Sequence, residues 1–153
     1  MKLIEGDQLK TRIDSIIHLP TQQREHQIDL TVENIYSNVR SGTLDFGGSE
    51  LQSAESKRLE PQKKNKDDDY GWWELSEGHY RVILNEELKI NDSSNELAVL
   101  TLHPHGRQAS LSAPTQVLPI SEEPDLQMNI SVPSIGCNIK ENARIATLFI
   151  LEE

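Results

Sequence analysis

The chain has 153 residues, 35% of them hydrophobic, and carries 25 acidic against 15 basic side chains, a net charge of −10. A chain this acidic is repelled by nucleic acids and anionic membranes unless its positive charge is clustered. Its one basic cluster, Lys63-Lys64-Asn65-Lys66, runs straight into Asp67-Asp68-Asp69, so it reads as a solvated loop and not as a polyanion site.

The length fits a single domain, 1–153. The apolar share lies below the usual ~45–50%, which leaves a thin core that burial between subunits would thicken. Cys137 is the lone cysteine, so there is neither an internal disulfide nor a multi-cysteine metal site. No apolar run approaches the roughly 18 residues of a membrane span, and the first residues lack the apolar region of a signal peptide. The expectation is a soluble, cytoplasmic protein.

In chain order, residues 1–20 form an N-terminal helical segment. Leu9, Ile13, Ile16 and Ile17 recur at roughly helical spacing, which predicts an amphipathic helix over 8–16 capped by Asp7 and ended by His18-Leu19-Pro20. Residues 27–36 alternate, with Ile28, Leu30 and Val32 against Asp29, Thr31 and Glu33, the pattern of a half-buried strand. Residues 41–69 are polar and rich in turn formers, which predicts an extended, mobile loop region. Within it Leu44, Phe46 and Leu51 are expected to anchor a short strand. Strands follow at 72–75, 80–84 and 96–102, separated by turns at Ser76-Glu77-Gly78 and 91–95. With SLSAPTQVLPI, DLQMNISVP and ARIATLFILEE after them, the texture is all-β, a barrel or sandwich, with no β-α-β alternation. On the strand at 72–75, Trp72 and Trp73 must face opposite sides, one toward the core and one outward.

Three segments then carry a resemblance. Gln27-Ile28-Asp29-Leu30-Thr31-Val32 resembles an "x-x-Asp-Leu-x-Leu/Val" strand, Gly78 to Asn91 loosely resembles a "G-x-x-x-L-x-x-T-x-E-x-I" strand, and Ile139 to Ile150 resembles an "I-x-x-G-x-R-I-[AG]-Q-[LI]-x-F" closing strand. Together they are similar to the deoxycytidine triphosphate deaminase and deoxyuridine triphosphatase superfamily. The resemblance implies a β-clip, a distorted jelly roll, with a short N-terminal helix and assembly as a trimer. Asn142 stands where the family often has glycine, and asparagine tolerates a left-handed turn. On the closing strand, Ala143, Ile145 and Thr147 are expected on one face and Arg144, Ala146 and Leu148 on the other.

The resemblance also locates the functional positions, and there the chain departs from it. The family's phosphate-binding Arg-Ser-Ser-Leu falls on His103-Pro104-His105-Gly106. Arginine has become histidine, and a serine has become proline, which lacks an N–H. Arg107 lies nearby but out of register. The deaminases' general-base glutamate falls on Asn129, whose amide cannot accept a proton near neutral pH. The triphosphatases' acid turn falls on Pro119 to Asp125, where Glu122 or Glu123 would have to substitute. The triphosphatases close their site with a glycine-rich C-terminal arm, and the expectation from the run ending Leu151-Glu152-Glu153 is that this arm is missing.

Each sharper reading has a plainer rival. His103 and His105 at i, i+2 would share one face of an extended strand and could begin a zinc site, with Glu96 and His79 as the only guesses for a third ligand. The plainer reading, a partly exposed pair in a turn, is preferred, and no metal is expected. A His103–Cys137–Asn138 arrangement is nucleophilic on paper, but a lone cysteine beside Gly136 more simply packs as a small apolar group. Asp29 is expected to make structural hydrogen bonds.

The reading is therefore a catalytically degenerate superfamily member, a homotrimeric binding, regulatory or assembly module without nucleic-acid or membrane partners. His103, His105 and Arg107 would give at most weak pyrimidine deoxynucleotide binding, strengthening in acid as histidines protonate from a reference pKa of ~6.5. The alternative is an active deaminase or diphosphatase of a pyrimidine deoxynucleoside triphosphate, using Mg²⁺ with the nucleotide and rearranged residues drawn from Glu122, Glu123 and Asn129.

Overall fold

The computed structural model describes residues 1–89, 95–120 and 125–153. In chain order its elements are β1 (Lys2–Leu3), α1 (Gly6–Leu9), a 3-10 turn (Lys10–Arg12), β2 (Ile13–Asp14), α2 (Leu19–Gln22), β3 (Ile28–Arg40), β4 (Glu55–Arg58) and β5 (Trp72–Leu75). There follow β6 (Gly78–Leu88), β7 (Glu96–Leu102), α3 (Pro104–Gln108), β8 (Gln116–Pro119), β9 (Asp125–Val132), β10 (Cys137–Lys140) and β11 (Arg144–Glu152). The all-β expectation holds. Among the described residues, nine strands make one curled sheet along the path β2-β6-β3-β11-β7-β8, with β1, β4 and β9 added at β11, β3 and β6, while β5 and β10 pair separately. Every pairing is antiparallel.

The core sits inside the curl. Alternate residues of β6 (Tyr80, Val82, Leu84, Leu88) and β9 (Leu126, Met128, Ile130, Val132) point into it, the period-two signature of a strand with one face covered. β3 differs: Ile28, Asp29, Leu30, Thr31 and Val32 are all buried. It is covered on both faces over its first half, so the half-buried expectation applies only beyond Val32. β11 is likewise buried on both sides from Ile145 to Leu148, so its two predicted faces are both interior.

The N-terminus departs most from its expectation. The helix covers only Gly6–Leu9, with Glu5 and not Asp7 at the N-cap position. Ile13 leaves the helical path to pair with Leu88 of β6, and Ser15 reverses the chain in the left-handed region at φ 65°. An isoleucine, stiff at χ1, fits a strand edge better than a helix end. Pro20 begins α2 instead of ending a helix, since a proline in the first turn has no N–H to lose.

The polar stretch 41–69 contains β4, paired with β3, and a hairpin closed by the Thr43–Gln52 bridge. Leu44, Phe46 and Leu51 anchor nothing: they are 90%, 110% and 57% exposed. β5 and β7 have their expected limits. Trp73 is buried, with its indole N–H donating to Leu59 O, while Trp72 is half exposed beneath Lys64 and Lys140. Asn142 adopts the left-handed conformation at φ 64°. The expected turn at 91–95 lies largely outside the described residues.

Candidate functional site

β11 runs between β3 and β7, and its register brings two distant segments together. Thr147 faces Asp29 of β3, and Ala146 faces Leu102 of β7. A bulge between Arg144 and Ala146 bends the start of β11, re-aiming Arg144. His103 leaves β7 at this point, its N–H donating to Ile145 O at 2.8 Å, and α3 begins.

His103 is not a partly exposed turn residue. Its side chain is 2% exposed and is the N-cap of α3. Nδ1 accepts the backbone N–H of His105 at 2.9 Å, which leaves the ring proton on Nε2. That nitrogen stands 3.1 Å from Asp29 Oδ2. The same oxygen receives Arg144 Nη1 at 3.1 Å and Arg24 Nη2 at 3.2 Å. Asp29 is fully buried, so its structural role is as expected, with guanidinium partners that compensate a charge otherwise costly to bury. Burial pushes the His103 pKa down, against the pull of Asp29 upward; His105 and Arg144 add to the lowering.

A second buried group lies one strand away. The Glu86 carboxylate of β6 accepts the Thr31 N–H at 2.6 Å and the Thr31 hydroxyl at 2.8 Å. Asn85 Nδ2 donates to Thr31 Oγ1, Val32 O and Asn142 Oδ1, tying the Asn142 turn to β3 and β6. Burial raises the Glu86 pKa to about 7, only partly offset by the Thr31 donors.

Two open cavities flank this ground. One, about 250 Å³, lies between α3 and the β10–β11 turn; the other, about 460 Å³, lies between that turn and α2. His105, Ala143 and Arg144 border both. His105 is exposed on α3 with its ring 4.5 Å from that of His103 in an edge arrangement.

The sequence-predicted residues are thus dispersed. His103 faces inward and His105 outward, and they sit on a helix, not a strand. Arg107 is exposed on α3 and borders neither cavity. Asn129 is exposed on β9, in register with Arg81 of β6. Glu122 and Glu123 lie outside the described residues. The third-ligand guesses are engaged elsewhere: Glu96 forms a two-pronged pair with Arg12, and His79 Nδ1 meets the Ser131 hydroxyl at 2.9 Å. Among the described residues no three His, Cys, Asp or Glu side chains converge as a metal site. The Cys137 pKa is raised by burial, which disfavours the thiolate that nucleophilic chemistry needs.

Sequence reasoning missed Glu86, Arg144 and Arg24. For Glu86 a signal exists: it occupies the inward phase Tyr80, Val82, Leu84, Glu86, Leu88, and a carboxylate in a buried phase marks a specific partner.

No family model matches the chain. Over 97 residues it is 30% identical to a probable deoxyuridine 5'-triphosphate nucleotidohydrolase of Methanosarcina mazei, covering 59% of this chain and 53% of that protein. A protein of the same description from Methanosarcina barkeri is 31% identical over 78 residues, 51% of this chain and 42% of the relative. These matches span about half the length of the curated relatives. A 2'-deoxycytidine 5'-triphosphate deaminase from Agrobacterium tumefaciens superposes over 97% of this chain and 46% of its own, with a TM-score of 0.68 at 13% identity. The fold match and the partial sequence matches agree with the motifs in strands β3, β6 and β11: the chain has the fold of the dCTP deaminase and dUTPase superfamily and is similar to its members over about half of their length.

Proposed function

We propose that the chain is a catalytically degenerate member of this superfamily: one dUTPase-like domain that assembles as a homotrimer and serves as a binding, regulatory or assembly module. The observation that supports this is the engagement of His103. The resemblance puts a phosphate-binding arginine there, and a phosphate site needs donors that face the ligand. The imidazole instead spends Nδ1 on the α3 cap and directs Nε2 at Asp29. Pro104 has no N–H to offer, and Asn129 cannot act as a base. Any nucleotide affinity that remains is weak and directed at pyrimidine deoxynucleotides.

The test is to incubate pure protein and Mg²⁺ with dCTP or dUTP and to follow product by chromatography. No turnover above the protein-free control is expected. Turnover on the order of 1 s⁻¹ would overturn the reading in favour of an active deaminase or diphosphatase with rearranged residues.

A further inference from the structure

The geometry points to a knob-and-socket contact between copies of this chain, in which Phe46 of one subunit enters the cavity between α3 and β10 of its neighbour. This deepens the proposed assembly and rests on the chain being oligomeric.

The knob is built, not merely exposed. Hydrogen bonds across Thr43 and Gln52 close the hairpin, and the Thr43 hydroxyl donates to Glu50 O. The Asp45 carboxylate accepts the N–H groups of Gly48 and Glu50. These bonds present Leu44 and Phe46 at 90% and 110% exposure, so the Phe46 ring touches nothing in its own chain. A turn held by five such bonds needs little further ordering on docking, which lowers the entropic cost of association. No other element presents two large apolar groups so fully among the described residues.

The socket matches in size and sign. Its walls are largely apolar, from Ala109, Leu111, Ile139, Ala143 and Ile145, with Trp72 at one side. A dry cavity of ~150 Å³ is enough to hold benzene, so 250 Å³ accommodates the Phe46 ring. The charged groups at its rim are Lys140 and Arg144, beside His105; Arg144 is paired with the buried Asp29, so Lys140 supplies the positive charge that faces the cavity. The hairpin is the reverse: from Thr43 to Gln52 its charges are Asp45 and Glu50, with no lysine or arginine. In a chain of net charge −10, copies repel unless negative and positive patches meet locally. Knob and socket are different surfaces, so the contact is head-to-tail, and three copies close it into a ring.

The native cysteine lines the socket and gives a direct test. With Phe46→Cys, docking brings the new thiol to Cys137, and Cu(II)-phenanthroline with oxygen should link them as a disulfide, which needs Cα atoms about 4.4–6.8 Å apart. The expected result is a covalent ladder ending at trimer on a non-reducing gel. The ladder should fall to dimers or nothing when Cys137→Ser is added. In parallel, Phe46→Asp should shift the protein to monomer in size-exclusion chromatography with light scattering, at a concentration where the wild type is assembled. Its far-ultraviolet circular dichroism should be unchanged, since Phe46 packs on nothing within its own chain. An assembled wild type whose Phe46→Asp variant stays assembled, with no Cys137-dependent ladder, overturns the knob and leaves the trimer standing. A wild type that is monomeric throughout overturns both.

Discussion

Asp29 and Glu86 are fully buried carboxylates on adjacent strands, yet their surroundings differ in kind. Asp29 accepts from two guanidinium groups, and the His103 Nε2 lies 3.1 Å from the same oxygen without a hydrogen bond of good geometry. Glu86 is met by a backbone amide and hydroxyl of Thr31, good donors without charge. Compensating cations make Asp29 a hub on which β3, β11 and α3 converge. Without them, burial dominates at Glu86 and raises its pKa to about 7. Hydrogen-bond satisfaction and charge satisfaction are separate requirements: both Glu86 oxygens accept hydrogen bonds but face no cation, while Asp29 faces cations and leaves Oδ1 without a donor.

The largest expected effect comes from breaking the compensated site. Asp29→Ala removes the acceptor that Arg24 and Arg144 share and that His103 faces. Breaking a buried pair from one side costs about 3–5 kcal/mol. The lower end applies here because Arg24 is 47% exposed and can turn to water. For a chain of this length that lowers the melting temperature by on the order of 10 °C, readable by calorimetry. A fall below about 2 °C would show that the network does not hold α3 and β11 together.

The comparison sharpens when pH is varied. Glu86 in the unfolded chain releases its proton near its ordinary 4.5, while the folded chain holds it to about 7. The folded state therefore binds more protons in that window. Glu86's stabilising contribution is full below 4.5 and is lost as pH rises to about 7, by on the order of 3 kcal/mol. His103 has the opposite sign. Its folded pKa is depressed from 6.5, so its contribution is full above 6.5 and is lost as pH falls through the folded value. Protonation would also put a proton on Nδ1, against the His105 N–H it now accepts. Denaturant midpoints from pH 4 to 8 separate the two. Glu86→Gln should gain stability relative to wild type as pH rises from 4.5 to 7. His103→Asn, which keeps a capping acceptor, should gain relative to wild type only toward the acid end. Parallel pH profiles for wild type and Glu86→Gln would refute the uncompensated reading of Glu86.

Much of this architecture was legible locally. The strand at 96–102, the paired tryptophans with opposite fates and the left-handed Asn142 are properties of a few neighbouring residues, and the sequence displays them. The burial of His103 is not of that kind. His-Pro-His-Gly reads as a surface turn because its true partner, Asp29, lies far away in the chain and reaches it only through the register of β11. The N-terminal helix was over-extended for the same reason: Ile13 fits a helical stripe, and tertiary pairing with Leu88 overrides the local pattern. The candidate site was legible as a set of departures from the family pattern, not as a geometry. Asn129 is located by the family pattern and Arg107 only by its nearness to it, and the folded chain puts them on different elements, β9 and α3.

The smallest expected effect concerns nucleotide binding, where the two carboxylates bear on one question: what charge the groove at His105 and Arg144 can offer a triphosphate. Arg144 is committed to Asp29, and His103 is both capped and buried. Mild acidification therefore draws no charge from His103, contrary to the expectation that both histidines would strengthen binding in acid. Glu86, behind Thr31, ionises as pH rises through about 7 and adds negative potential beneath the groove. At pH 7.5, millimolar dUTP or dCTP should raise the melting temperature by less than about 2 °C. Stabilisation follows RT ln(1 + [L]/Kd), so a micromolar binder would contribute roughly 4 kcal/mol at that concentration and move the melt by several degrees. A shift of that size would mean that Arg144 leaves Asp29 for the phosphate. Asp29→Asn should then increase the shift by freeing the guanidinium, whereas a groove without triphosphate affinity leaves the variant as unresponsive as the wild type.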